Sequence, residues 1–383
     1  MQHHTETSLA DVGRRIDPAA SAAGSILFAG TPQIAADCLT GLLAAGVDVA
    51  AVLTRPDAPV GRRRRMTPSP VAQIAEEAGI PVIRASRVDE EVSAAIGRTG
   101  ARLGVAVAYG ALLPQHALDA PEHGWVNLHY SRLPAHRGAS PVPHAVLDGD
   151  VETAATVFQI EAGMDTGPIH GVCPLPISEE ISSGELLDEL TAVGTRLLIA
   201  LLPDLLAGRS VPEPQVGEAT YAPKLTREDA FIDPRHPAAE VVRRINATTP
   251  EPGPWTLLGE TRLKLGTARP YEAETPDDID EAPVGAVLPA PEDRPGAGPV
   301  LTLRAGDGRP VVLRGVQPAG KQMMDPAAWH RGLRETPVLG TAPAAEDVAS
   351  GVPSSRDRSE RPSSSDDSHP ADARPQTSRE EQR

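Results

Sequence analysis

The sequence predicts an α/β fold: a Rossmann-like domain with a mostly parallel sheet, followed by a small C-terminal β-barrel domain. Three observations lead there. From residue 26 to residue 207, short apolar runs alternate with segments whose apolar residues recur every three or four positions, and strands alternating with helices build a parallel sheet. From residue 256 to 316 the apolar runs are short and separated by turns such as Gly306-Asp307-Gly308, the pattern of a small barrel. The length, 383 residues, exceeds what one core ordinarily organises, so two domains are expected.

Taken in order, residues 1–24 are polar and Ala-rich without a usable period and are expected to form a disordered extension. The domain of residues 25–207 opens with a strand at 26–29. Gly30-Thr31-Pro32 turns it into a helix over 34–45, where Ile34, Cys38, Leu39, Leu42 and Leu43 share a face. A strand at 49–54, a helix over 70–78 with Pro near its start and a strand at 81–83 follow. Apolar strands at 103–109 and 125–129 enclose a helical or looped segment. Residues 154–160 and 169–177 read as extended and paired. The helix over 183–207 has Ser183 as N-cap, acidic residues in its first turns and an apolar stripe. Residues 208–225, rich in Pro, Gly and polar residues, form the linker. The second domain, 226–340, has a helix around 238–246 and strands at 256–258, 262–267, 285–288, 300–304 and 310–316. Its stretches 274–282 and 289–298 are long acidic or Pro-rich loops. Residues 341–383 have the Ser, Asp, Glu, Arg and Pro composition of a disordered tail.

Composition narrows the function. A net charge of −16 argues against binding nucleic acid through a broadly basic surface, while leaving room for a local basic loop. An aromatic content of 3% with 40 prolines points to aliphatic packing and many rigid loops. Cys38 and Cys173 have no metal-ligand spacing and read as buried, reduced thiols. His123, His136 and His144 are irregularly spaced around His129, so no metal is expected. No apolar run reaches membrane-spanning length. Asp17 and Pro18 interrupt the stretch after Arg14-Arg15, which therefore makes a poor export signal; a cytoplasmic protein is expected. Gly315-x-x-x-x-Gly320-Lys321 approximates a phosphate-binding loop, but Gln322 holds the position of the required Ser or Thr. Gly30-Thr31-Pro32 lacks the dinucleotide fingerprint.

The chemistry lies in Val126-Asn127-Leu128-His129-Tyr130-Ser131-Arg132-Leu133-Pro134 and, downstream, Gly163-Met164-Asp165-Thr166-Gly167. Asn127 and His129 are two residues apart, so on a strand they face the same way. A strand end in an α/β sheet is where small-molecule chemistry sits. With Asp165 they supply a hydrogen-bond donor for an oxyanion, a proton-transfer group and a carboxylate to orient it. That set needs no nucleophilic Ser or Cys, and so suits direct transfer of an acyl or formyl group to an amine.

The segment from Asn127 through Ser131 and Pro134 to Arg137-Gly138, completed by Asp165, resembles the signature of the folate-dependent formyltransferases. The resemblance extends to Phe28-Ala29-Gly30-Thr31-Pro32, to Thr54-Arg55-Pro56-Asp57 and the basic loop from Gly61 to Val71, to Tyr221-Ala222-Pro223-Lys224-Leu225, and to Val316-Gln317-Pro318-Ala319-Gly320-Lys321. Agreement at so many separated points is far more specific than any single motif. Three positions depart from the pattern. Arg132 replaces a Leu, His136 an aromatic and Pro143 a Gln, all flanking the expected folate pocket.

The resemblance implies a formyltransferase domain over 25–207 and an OB-like barrel over 226–340. It implies transfer of a formyl group from 10-formyltetrahydrofolate to the α-amino group of methionine on initiator tRNA. Asn127 would donate to the oxyanion with protonated His129 assisting, and Asp165 would hold the imidazole. Ser131, Arg132, Leu133 and Pro134 would line the folate site. Arg62, Arg63, Arg64 and Arg65, with Lys224, would grip tRNA phosphates, Arg62 foremost. The partners implied are initiator methionyl-tRNA and the folate co-substrate, with no metal and no membrane; a monomer is expected. The alternative is a formyltransferase of the same fold acting on a small amine, a glycinamide ribonucleotide or an amino sugar nucleotide. The arginine run and the barrel count against it.

Overall fold

The computed structural model describes residues 24–61, 63–296 and 298–340. The expectations for both terminal extensions and for Arg62 concern positions outside the described residues. The first part of the chain runs β1 (Ile26–Gly30), α1 (Gln33–Ala44), β2 (Val49–Thr54), β3 (Ala58–Val60), β4 (Arg65–Thr67), α2 (Pro70–Glu77), β5 (Val82–Arg84), α3 (Glu90–Arg98), β6 (Leu103–Val107), α4 (Gln115–Leu118), β7 (Trp125–His129), α5 (Pro141–Asp148), β8 (Glu152–Gln159), β9 (Ile169–Pro176) and α6 (Ser183–Leu206). Seven of these strands form one sheet in the order β5-β2-β1-β6-β7-β8-β9. Its first five members are parallel, and β8 and β9 run antiparallel at one side.

The sheet is covered on both faces, which is why β1 and β6 read as continuous apolar runs and are buried at every residue. Ile26, Phe28, Val126 and Leu128 pack on one side with α1 and α6, while Leu27, Trp125 and Ile96 pack on the other. Strand order reverses between β1 and β6, and such a reversal opens a crevice at the carboxyl ends of the strands.

Several elements differ from the sequence reading. The expected strand 103–109 ends at Val107 because Ala108 turns into the left-handed region, at φ 46°. The N-cap of α6 is Ser182, whose side chain forms a reciprocal capping box with Glu185. Ser183 lies inside the helix and donates to the Ala247 carbonyl at 2.7 Å, tying α6 to the next helix. Helices α3 and α5 and the β3–β4 hairpin have segments too short or too polar for a clear period.

The second part comprises α7 (Ala238–Ala247), β10 (Trp255–Leu258), β11 (Thr261–Leu265), β12 (Ala268–Pro270), α8 (Asp277–Asp280), β13 (Val287–Ala290), β14 (Val300–Arg304), β15 (Pro310–Leu313), β16 (Val316–Pro318) and α9 (Pro326–Arg331). Two antiparallel sheets, β10-β11-β16 and β12-β15-β14-β13, enclose a core of Leu263, Leu265, Leu301, Leu303, Val311 and Val316, with Val241 and Ile245 of α7 against it. The expected strand 310–316 is two strands in different sheets. The expected loop 274–282 carries α8.

Polar contacts lock the two parts together. The buried Asn246 amide, fixed to Ala268 within the second part, also donates to the Glu180 carbonyl of the first at 3.3 Å. Glu180, before α6, pairs with Arg294 and Arg314 of the barrel. The stretch 208–225 lies against the first domain: Glu213 pairs with Ile169, and Tyr221 with Arg137.

Candidate active site

Sheet register gathers the site. Asn127 sits in β7 between Ala106 of β6 and Phe158 of β8, and all three line a cavity of about 930 Å³ at the carboxyl edge of the sheet. Its other walls are residues 86–90 after β5, the loop 108–114 after β6, and the loop 160–165 that ends at Asp165. The chain reverses tightly behind β6, where the Thr31 hydroxyl holds the Tyr109 carbonyl at 2.8 Å.

His129, two residues beyond Asn127 and on the same face, is buried beside this wall. Its Nε2 lies 3.1 Å from the His136 carbonyl, which can only accept, so Nε2 carries the proton. The Nδ1 lone pair then faces Asp165, whose Oδ2 is 3.9 Å away. That oxygen instead accepts the Gly138 N–H at 2.7 Å. Burial pushes the His129 ring below its ordinary pKa, and the Asp165 carboxylate works against that effect. A proton gained at Nδ1 would lie beside a carboxylate able to stabilise the charge.

The backbone is contorted to achieve this. Ala108, His136 and Asp165 all have φ between 46° and 55°, a conformation costing a non-glycine residue roughly 1–2 kcal/mol. A Cβ on Gly167 would meet the Gln159 carbonyl oxygen at 1.8 Å, so only glycine fits where the Asp165 loop rejoins β8.

Ser131, Arg132, Leu133 and Pro134 do not line the cavity. The Ser131 hydroxyl is fully buried and donates to the Ala135 carbonyl at 2.6 Å. Leu133 is in a small core with Phe158 and Ile169. Arg132 points outward to Glu152 at 3.1 Å. These four residues form the turn that follows β7, next to His129. The cavity-lining loop 108–114 went unrecognised because its start continued the apolar run of β6. His136, a departure from the family pattern, orients His129 through its carbonyl while its own ring pairs with Asp150 at 2.7 Å.

Of the basic residues, Arg63, Arg64 and Arg65 lie exposed on the β3–β4 hairpin, which leaves the carboxyl end of β2 on the cavity side of the sheet. Arg55, at the start of this excursion, bonds the Ser86 carbonyl at the cavity rim. Lys224 is exposed at the end of the linker.

The chain is similar to known proteins. A model of the formyl transferase family matches residues 25–202, and one of the formyl transferase C-terminal domain matches residues 224–334. The chain belongs to the formyl transferase family. Its relatives include a methionyl-tRNA formyltransferase of Paenarthrobacter aurescens, 47% identical over 311 residues, which are 80% of this chain and 96% of that protein. A methionyl-tRNA formyltransferase of Acidothermus cellulolyticus is also 47% identical, over 82% of this chain and 98% of that protein. Among solved structures, HypX from Aquifex aeolicus in complex with tetrahydrofolic acid superposes with a TM-score of 0.55 at 16% identity, over 80% of this chain and 47% of that one. The sugar 3N-formyl transferase WlaRD superposes with a TM-score of 0.52 at 15% identity, over 78% and 98%. These two likenesses establish a shared fold.

Proposed function

We propose that this formyltransferase moves a formyl group from 10-formyltetrahydrofolate to the α-amino group of methionine esterified to initiator tRNA, in the cytoplasm. The likeness to methionyl-tRNA formyltransferases along nearly their whole length, in both domains, carries this reading. A small-amine acceptor would leave the exposed arginine hairpin without a role.

The cavity suits a formylated folate. Its volume of about 930 Å³ lies in the range of small-molecule sites, and its walls combine apolar Leu112, Leu113, Phe158 and Ile160 with polar groups that include Arg87, Asp89, Asn127 and Asp165. Residues 86–90 and 108–114 would hold the ring system and its tail. When bound, the folate supplies the one-carbon group. The chain's own residues then have distinct tasks. The Asn127 amide donates to the formyl oxygen as negative charge develops there. His129 Nδ1 takes the proton the attacking amine sheds, the Asp165 carboxylate stabilises the resulting imidazolium, and the imidazolium returns that proton to the folate nitrogen as its bond to the formyl carbon breaks. Holding amine and formyl carbon together supplies much of the acceleration. Arg62, Arg63, Arg64 and Arg65, with Lys224, supply cationic contacts to tRNA phosphates.

The test is incubation of the purified protein with 10-formyltetrahydrofolate and initiator tRNA charged with labelled methionine. Formylmethionine after deacylation, with little from charged elongator tRNA, is the expected result. No product despite demonstrable folate binding would overturn the tRNA assignment.

A further inference from the structure

Asp165 is held by more than its own loop. Gln215 lies in the stretch between the two domains, half-buried. Its Nε2 donates to the Asp165 carbonyl at 2.7 Å and to the Gly167 carbonyl at 2.8 Å. Its Oε1 accepts from Arg137 Nη2 at 2.6 Å and Nε at 3.2 Å. The amide orientation is unambiguous, because carbonyls need a donor and a guanidinium needs an acceptor. The contacts close a ring. Gly138, next to Arg137, donates its N–H to the Asp165 carboxylate at 2.7 Å, while the Arg137 side chain secures the amide that secures the Asp165 main chain. Asp165 itself stands at φ 52°, a conformation that persists only where its surroundings enforce it.

The segment carrying Gln215 is fastened at both ends. Glu213 exchanges backbone hydrogen bonds with Ile169 at 2.7 and 2.8 Å. Further on, Arg137 donates to the Thr220 carbonyl at 2.9 Å, and Ala222 donates to the Arg137 carbonyl at 2.7 Å. Gln215 thus has a defined position from which to hold the loop.

We propose that Gln215 is a positioning residue for formyl transfer, clamping the 165–167 loop so that the Asp165 carboxylate faces His129. The inference rests on the catalytic role given to Asp165 above. Gln215 touches neither reactant; it acts only through Asp165.

Three variants test it together: Gln215→Glu, which replaces both donors by an acceptor facing two carbonyls, Asp165→Ala, and the double variant. A misplaced catalytic group costs about 10²-fold. Single-turnover transfer should therefore fall by that order in Gln215→Glu, with KM for charged tRNA and for the folate donor within about twofold of the parent. In the Asp165→Ala background the same change should cost nothing further, since residues acting through one another are non-additive. Equal losses in both backgrounds, or a parental rate in Gln215→Glu beside an inactive Asp165→Ala, would overturn the positioning role alone. A near-parental rate in Asp165→Ala would overturn the role of Asp165 and this inference with it. Gln215→Ala, which introduces no charge, is read the same way should the glutamate variant fail to fold.

Discussion

His129 is a buried imidazole given the role of proton acceptor in the proposed transfer, and its surroundings pull its pKa in opposite directions. Burial lowers its pKa from 6.5, while the Asp165 carboxylate raises it. Below its folded-state pKa the ring is already protonated and cannot accept, so single-turnover transfer should rise with pH through a limb lying below 6.5. Asp165→Asn removes the raising influence, and should move that limb to still lower pH while reducing the plateau. The amine's own titration is common to both proteins, so a limb unmoved by the substitution would refute the coupling. Asn127 has a separable task. Asn127→Ala removes one oxyanion donor and should lower kcat by about 10²–10³-fold, with tRNA affinity, measured by filter binding, nearly unchanged. These two residues share a strand face by simple alternation, Asn127 in the cavity wall and His129 beside it, facing Asp165.

Among the elements, the excursion 289–298 has the most to lose. Read as a loose Pro-rich loop, it carries Asp293, whose carboxylate pairs with Arg269 of β12; their side chains are 0% and 5% exposed. The Arg269 guanidinium holds the Asp293 pKa down, at about 2. A carboxylate with a lowered folded-state pKa contributes stability that is present above its unfolded value near 3.8 and is lost as pH falls toward about 2. Asp293→Ala leaves a buried guanidinium unpaired and should cost about 3–5 kcal/mol in urea unfolding. A change under about 1 kcal/mol would mean that water reaches Arg269 in place of the carboxylate. The N-terminus of α6 is a smaller case: losing the Ser182 half of the capping box, in Ser182→Ala, should cost about 1 kcal/mol.

Across the whole molecule the balance of charge is −16, so an anionic substrate must be met by a local concentration of cations. The β3–β4 hairpin supplies one, with Arg63, Arg64 and Arg65 exposed. Neutralising these three together should weaken binding of charged tRNA. It should also flatten the plot of log K against log salt, by about 0.7–0.9 for each phosphate that the variant no longer neutralises. The chemical step at saturating tRNA should change much less. An unaltered salt slope would move the tRNA interface elsewhere. The Glu180 pairs with Arg294 and Arg314, together with the Asn246 hydrogen bond to the Glu180 carbonyl, keep the barrel fixed against the domain that carries both hairpin and cavity.

The alternation of Asn127 and His129, the helical stripe of α1 and the apolar runs of β1 and β6 were legible because each is a local, periodic consequence of burial on a known face. So were the two-part organisation and the family, since the motifs that carry the resemblance are contiguous. Tertiary structure alone decided what surrounds those residues. Which loops wall the cavity, that burial lowers the His129 pKa, and that Gln215 bonds the Asp165 and Gly167 carbonyls all depend on interactions between distant segments. Desolvation, a hydrogen bond across half a domain and a left-handed backbone held by its neighbours leave no period in the sequence. They exist only once the chain has closed on itself.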